Sequence, residues 1–124
     1  MPDKKLVLLV EDEFLIRDLI QTSLEDADFS VVSAGHGGEA VQLLDRDQQE
    51  VAALITDVRL GDGPDGWAVA RHARRIKPDL PVIYFSGHSA ADWPSEGVPH
   101  SLYLQKPLTA PQIVKAVRNA VSPV

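Results

Sequence analysis

The chain has 124 residues, enough for one domain with a real core and too few for two. Its 18 acidic and 12 basic side chains give a net charge of −6, which argues against a nucleic-acid-binding surface, where Lys and Arg must replace phosphate counterions. With no cysteine, disulfides, thiolate catalysis and Cys-based metal sites are excluded.

In chain order, Met1-Pro2-Asp3-Lys4-Lys5 leads into the apolar run Leu6–Val10, which stops at Glu11. The start lacks the cleavage pattern of a signal peptide, and no apolar run approaches the roughly 18–20 residues of a membrane span. A cytoplasmic protein without membrane contact is expected. Phe14–Ala27 carries Ile16, Leu19, Ile20, Leu24 and Ala27 at helical spacing. Ser30–Ala34 reads as a second strand, Glu39–Asp47 as a second helix and Val51–Thr56 as a third strand. Trp67–Lys77 reads as a helix stopped by Pro78, and Pro81–Ser86 as a fourth strand. From His88 to His100 only a short helix fits, because Pro94, Gly97 and Pro99 interrupt the segment. Ser101–Gln105 is the fifth strand. Thr109-Ala110-Pro111-Gln112 then opens the last helix with a capping box and Pro in the first turn. Ile113, Val114, Val117 and Val121 carry that helix's apolar stripe to about Val121.

The strands are mostly continuous runs of Val, Leu and Ile, the pattern of strands covered on both faces. Their alternation with helices implies a parallel sheet with helices on both sides, and right-handed crossovers restrict the topology. Five strands suggest the flavodoxin-like α/β order 2-1-3-4-5, with a ligand crevice at the carboxyl ends of the strands. One domain is expected to fill residues 1–124, with a core of about 6–121 and no output domain.

At those strand ends the residues are unusual. The first strand ends in Glu11-Asp12-Glu13 and the third in Thr56-Asp57, so Glu11, Asp12 and Asp57 should meet in one crevice. Carboxylates that close repel one another unless a cation joins them, and oxygen donors with room for water suit Mg2+. The bland alternative is that Glu11 or Asp12 only caps the following helix, where an acid is favoured by the dipole. The fourth strand ends in Ser86-Gly87 and the fifth in Gln105-Lys106-Pro107. Singly, Ser86 reads as a turn residue and Lys106 as a solvated charge. Together they offer a hydroxyl donor and a cation to a phosphoryl group on Asp57.

The set Glu11-Asp12, Asp57, Ser86 and Lys106-Pro107, each at a predicted strand end, resembles the signature of response-regulator receiver domains of two-component systems. The resemblance implies that Asp57 is the phosphoacceptor. It also implies that Asp12, Asp57 and the Arg59 backbone carbonyl bind Mg2+, with Glu11 acting through a metal-bound water. Ser86 and Lys106 would contact the phosphoryl oxygens, the Lys106–Pro107 peptide would be cis, and Tyr103 would be a switch aromatic coupled to Ser86. A half-buried strand tyrosine is the plainer account of Tyr103. Two departures are visible. The turn Arg59-Leu60-Gly61-Asp62-Gly63-Pro64-Asp65-Gly66 looks one residue longer than usual, and the segment holding Trp93-Pro94 is poor in helix signals. The Phe85-Ser86-Gly87-His88 run is similar to a stand-alone group of receivers common in alphaproteobacteria.

The resemblance implies a stoichiometric phosphoacceptor with weak self-catalysis rather than a metabolic enzyme. Its partners would be a sensor histidine kinase or histidine phosphotransfer protein and a downstream protein docking on the helix 4–strand 5–helix 5 face. Four alternatives stand beside this reading. A degenerate receiver would be a phosphorylation-independent scaffold, the same domain could serve as a phosphate relay or sink, and a small phosphatase would need a cap that this length does not provide. A flavodoxin-type cofactor binder would need a phosphate loop after the first strand, where Glu11-Asp12-Glu13 would repel an FMN phosphate.

Overall fold

A computed structural model describes residues 4–46 and 50–122. The elements are β1 (Leu6–Val10), α1 (Phe14–Asp26), β2 (Ser30–Ala34), α2 (Gly37–Arg46), β3 (Val51–Asp57), α3 (Gly66–Ile76), β4 (Val82–Ser86), α4 (Trp93–Glu96), β5 (Leu102–Gln105) and α5 (Ala110–Val121), with a 3-10 turn at Ala90–Asp92 before α4. All strand pairs are parallel in the order β2-β1-β3-β4-β5, as the alternating pattern predicted. Asp47, the expected end of the second helix, lies outside the described residues, as do Met1–Asp3 and the terminal Pro123-Val124.

The two-residue period of a strand divides the core between two faces. Leu8, Val10, Leu54, Val82 and Tyr84 point to one side, where Ala40 and Leu44 of α2 and Trp67, Val69, Ala70 and Ala73 of α3 cover them. Val7, Leu9, Ala53, Ile55, Ile83 and Phe85 point to the other, under Ile20 and Leu24 of α1 and Ile113, Ala116 and Val117 of α5. Each fully buried Val, Leu or Ile side chain contributes roughly 1.5–3 kcal/mol. The continuous apolar character of β1, β3 and β4 follows from burial on both faces. The edge strands differ: β2 is half-buried over most of its length, and β5 exposes Leu102 and Gln105.

Local signals set the helix ends. Thr109 Oγ1 accepts the Gln112 amide at 3.4 Å, while Gln112 Oε1 accepts the Thr109 amide at 2.8 Å, completing the expected capping box of α5. Asp65 caps α3 by accepting the Ala68 amide at 2.9 Å. Helix α2 begins two residues before the expected Glu39, at Gly37. Helix α1 differs in its face. Leu19 sits at helical spacing with the core residues, yet it is 56% exposed, beside Phe14 at 65% and Leu15 at 79%.

Candidate functional site

Strand register brings the site residues to one level. Val10 pairs with both Ala34 and Thr56, so Glu11 and Asp57 stand side by side at the ends of β1 and β3. Asp57 pairs with Phe85 and Ser86 with Gln105, which places Ser86 and Lys106 one step along the same rim. One carboxylate oxygen each from Glu11, Asp12 and Asp57 lie within 4.8 Å of one another, as the strand-end argument required. Glu11 and Asp57 are buried and Asp12 is exposed, so the cluster opens to solvent through Asp12.

Lys106 ties the rim together. Its ammonium donates to Asp57 Oδ2 at 2.8 Å and to Glu11 Oε1 at 3.3 Å, and lies 5.2 Å from the centre of the Phe85 ring. Its backbone N–H donates to the Ser86 carbonyl at 3.0 Å, and the Lys106–Pro107 peptide is cis, as expected. Burial alone would lower the Lys106 ammonium, but the hydrogen bond and charge of Asp57, with Glu11 adding to them, raise it overall. Burial pushes the Glu11 carboxyl up to about 7; the Glu13 amide and Lys106 oppose that rise, while Asp12 and Asp57 reinforce it.

Neither Glu11 nor Asp12 caps α1. The N-cap is Glu13, whose carbonyl accepts the Arg17 amide and whose own amide donates to Glu11 Oε2 at 3.0 Å. That bond and the one from Lys106 hold the Glu11 carboxylate in the crevice. Asp57 Oδ1 accepts the Arg59 amide at 3.3 Å, so the turn after β3 folds back on the carboxylate. Gly61 and Gly63 supply the positive φ values of that turn, 73° and 89°. Gly66 closes it, because a Cβ there would stand 2.2 Å from the Asp57 carbonyl oxygen.

Ser86 and Tyr103 meet on the far side of the rim. Ser86 is 2% exposed, and the Tyr103 hydroxyl donates to its carbonyl at 3.3 Å while accepting the Ser89 amide at 3.1 Å. Tyr103 is half-buried and packs on Trp93, ring centres 5.9 Å apart. Three contributors to the rim carry no signal in the sequence. Ser89, 3% exposed, accepts the Ser86 hydroxyl at 3.1 Å. Thr56 donates its hydroxyl to the Asp57 carbonyl at 2.8 Å, and Arg17 reaches the Glu11 carbonyl at 2.8 Å. A serine or threonine in such a run carries no mark of burial, and nothing in the α1 pattern distinguishes Arg17 from a solvated charge. Beside the rim, Ile16, Leu19, Phe85, His88, Lys106 and Pro107 help to line an open groove of about 460 Å3.

A flavodoxin-like sheet with three clustered acids and a lysine bonded to two of them at its carboxyl rim, and a buried serine at the next strand end, has the arrangement of a receiver-type α/β domain. Comparison with known proteins agrees. The response regulator receiver domain family matches residues 7–118, and the chain belongs to that family. A response regulator receiver protein from Sinorhizobium medicae WSM419 is 38% identical and superposes with a TM-score of 0.91 over 96% of this chain and 95% of that one. The receiver domain of the hybrid histidine kinase CckA gives a TM-score of 0.81 at 25% identity, over 94% of this chain and 99% of its own. The C4-dicarboxylate transport transcriptional regulatory protein DctD of Rhizobium meliloti is 32% identical over 92% of this chain, which spans only 25% of DctD.

Proposed function

We propose that the chain accepts a phosphoryl group on Asp57 from a phosphohistidine of a sensor kinase or phosphotransfer protein. A carboxylate oxygen of Asp57 attacks phosphorus, and the P–N bond to the donor imidazole breaks. The observation that carries this reading is a carboxylate only 6% exposed, at a strand end, hydrogen-bonded at 2.8 Å by a lysine and clustered with two further acids. The all-oxygen donor set of Glu11, Asp12 and Asp57 fits Mg2+; Asp12 and Asp57 would hold it, joined by the Arg59 carbonyl that the family resemblance implies, with Glu11 in support. A bound Mg2+ would offset charge on the transferred group. The Lys106 ammonium, bonded to Asp57 at 2.8 Å, offsets charge there as well, and the fixed rim holds Asp57 oriented for attack. The exposed Phe14, Leu15 and Leu19 give the donor an apolar landing beside the crevice.

Phosphorylation is stoichiometric in this reading, and the acyl phosphate later hydrolyses. Output runs through the α4–β5–α5 face to a downstream protein in the cytoplasm; no helix among the described residues is long and apolar enough to cross a membrane. Incubation with acetyl phosphate and Mg2+, followed by intact mass, should show one acid-stable, base-labile addition. It should vanish with chelator and in Asp57→Asn. Labelling that persists in the Asn variant rejects the assignment.

A further inference from the structure

A hydroxyl carries a single hydrogen, and the only one on Ser86 is already committed. It is donated to the Ser89 hydroxyl oxygen at 3.1 Å, between side chains that are 2% and 3% exposed. The Ser86 oxygen also accepts the His88 amide, at 3.4 Å, so that oxygen stays partnered when its hydrogen turns elsewhere. Ser89 is bonded at two further points. Its amide donates to the Tyr103 hydroxyl at 3.1 Å, and its carbonyl accepts the Asp92 amide at 3.1 Å, closing the 3-10 turn before α4.

We infer that Ser89 is a positioning residue that holds the Ser86 hydroxyl in the unphosphorylated chain and competes with the phosphoryl group for it. The inference rests on Asp57 as phosphoacceptor and adds a residue to that site. When Ser86 turns its hydrogen to a phosphoryl oxygen, the Ser89 oxygen loses this bond in a place where water does not replace it. A buried polar atom left in that state is costly, so Ser89 shifts. Through its amide and carbonyl the shift reaches Tyr103 and the turn into α4 together. Ser89 thus sets the threshold for the switch and links its two sides.

The test is a calorimetric titration with beryllofluoride in Mg2+, the mimic that occupies an aspartyl phosphate site. Ser89→Ala removes the competitor and should tighten binding by about three- to tenfold, the factor carried by one neutral hydrogen bond. Ser89→Cys keeps the size while offering a weaker acceptor, and should move affinity in the same direction by less. In a Ser86→Ala background the Ser89→Ala change should have no effect, since there is no hydroxyl to release. Unchanged or weaker binding in both Ser89 variants overturns the role, as does an equal shift without the Ser86 hydroxyl. Failure of the unaltered chain to bind beryllofluoride overturns the phosphoacceptor reading and this inference with it. Binding that Asp57→Asn abolishes, combined with a flat Ser89 series, overturns the inference alone.

Discussion

Glu11 is the residue on which the crevice's charge balance turns. Its side chain is wholly buried next to two other acids, whose effect the Glu13 amide and Lys106 oppose. Because its value rises from 4.5 to about 7 in the folded chain, the stability tied to its proton is complete below about pH 4.5 and is lost as pH rises through about 7. The loss is on the order of 3 kcal/mol at one residue. In chelator, thermal midpoints of the unaltered chain should therefore fall between pH 5 and 8, and Glu11→Gln should flatten that fall. Identical pH profiles for the two would show that the charge is balanced elsewhere. A divalent cation favours the ionised form, so saturating Mg2+ should also flatten the profile. Asp12 is the exposed member of the cluster, positioned to meet an ion directly, while Glu11 is engaged by Glu13 and Lys106. Asp12→Ala is accordingly expected to weaken Mg2+ affinity more than Glu11→Ala in a titration read by thermal shift. The reverse order would exchange their roles.

At the level of elements, the segment between β4 and β5 shows why some of the chain was legible in sequence and some was not. Strands β1 to β5 and helices α1, α3 and α5 followed from apolar period, Pro78 and the Thr109 capping box, because these signals are local. The crevice was legible for a similar reason: parallel register converts adjacent strand ends into adjacent side chains. Segment 88–100 offers no such signal and is held by tertiary contacts. The Val98 amide donates to the buried Tyr84 hydroxyl at 3.0 Å, Trp93 Nε1 donates to Ser101 Oγ at 3.0 Å, and Ser101 donates to the Val98 carbonyl at 2.6 Å. Tyr84 is read from sequence as one more apolar strand residue, yet its hydroxyl anchors the chain beyond α4. Tyr84→Phe should leave the Val98 amide without its partner and cost roughly 1–3 kcal/mol. Amide exchange should quicken around Val98 and stay unchanged in β1. A uniform acceleration across the sheet would mean that Tyr84 serves the core rather than this segment.

Across the whole molecule, the sheet separates two cores that lie unequally with respect to the crevice. Trp93, Tyr103, Val98 and Tyr84 belong to the side covered by α2 and α3, while Ile20 and Leu24 of α1 belong to the other. The bonds that leave the rim through Ser86, Ser89 and Tyr103 run only into the first of these. Driving a two-state element from 1:99 to 99:1 takes about 5.5 kcal/mol of differential stabilisation. A four-residue α4 flanked by a 3-10 turn and held by a few side-chain bonds is an element that such an input can reorder, whereas the close-packed second core is not. Beryllofluoride with Mg2+ is therefore expected to change Trp93 fluorescence and amide exchange over 88–103, while exchange over 20–26 of α1 stays as it was. Ser86→Ala should blunt the first change without preventing acetyl phosphate from labelling Asp57. If exchange over 88–103 is the same with and without the mimic, phosphorylation does not reach the α4–β5–α5 face, and the chain acts as a phosphate relay or sink.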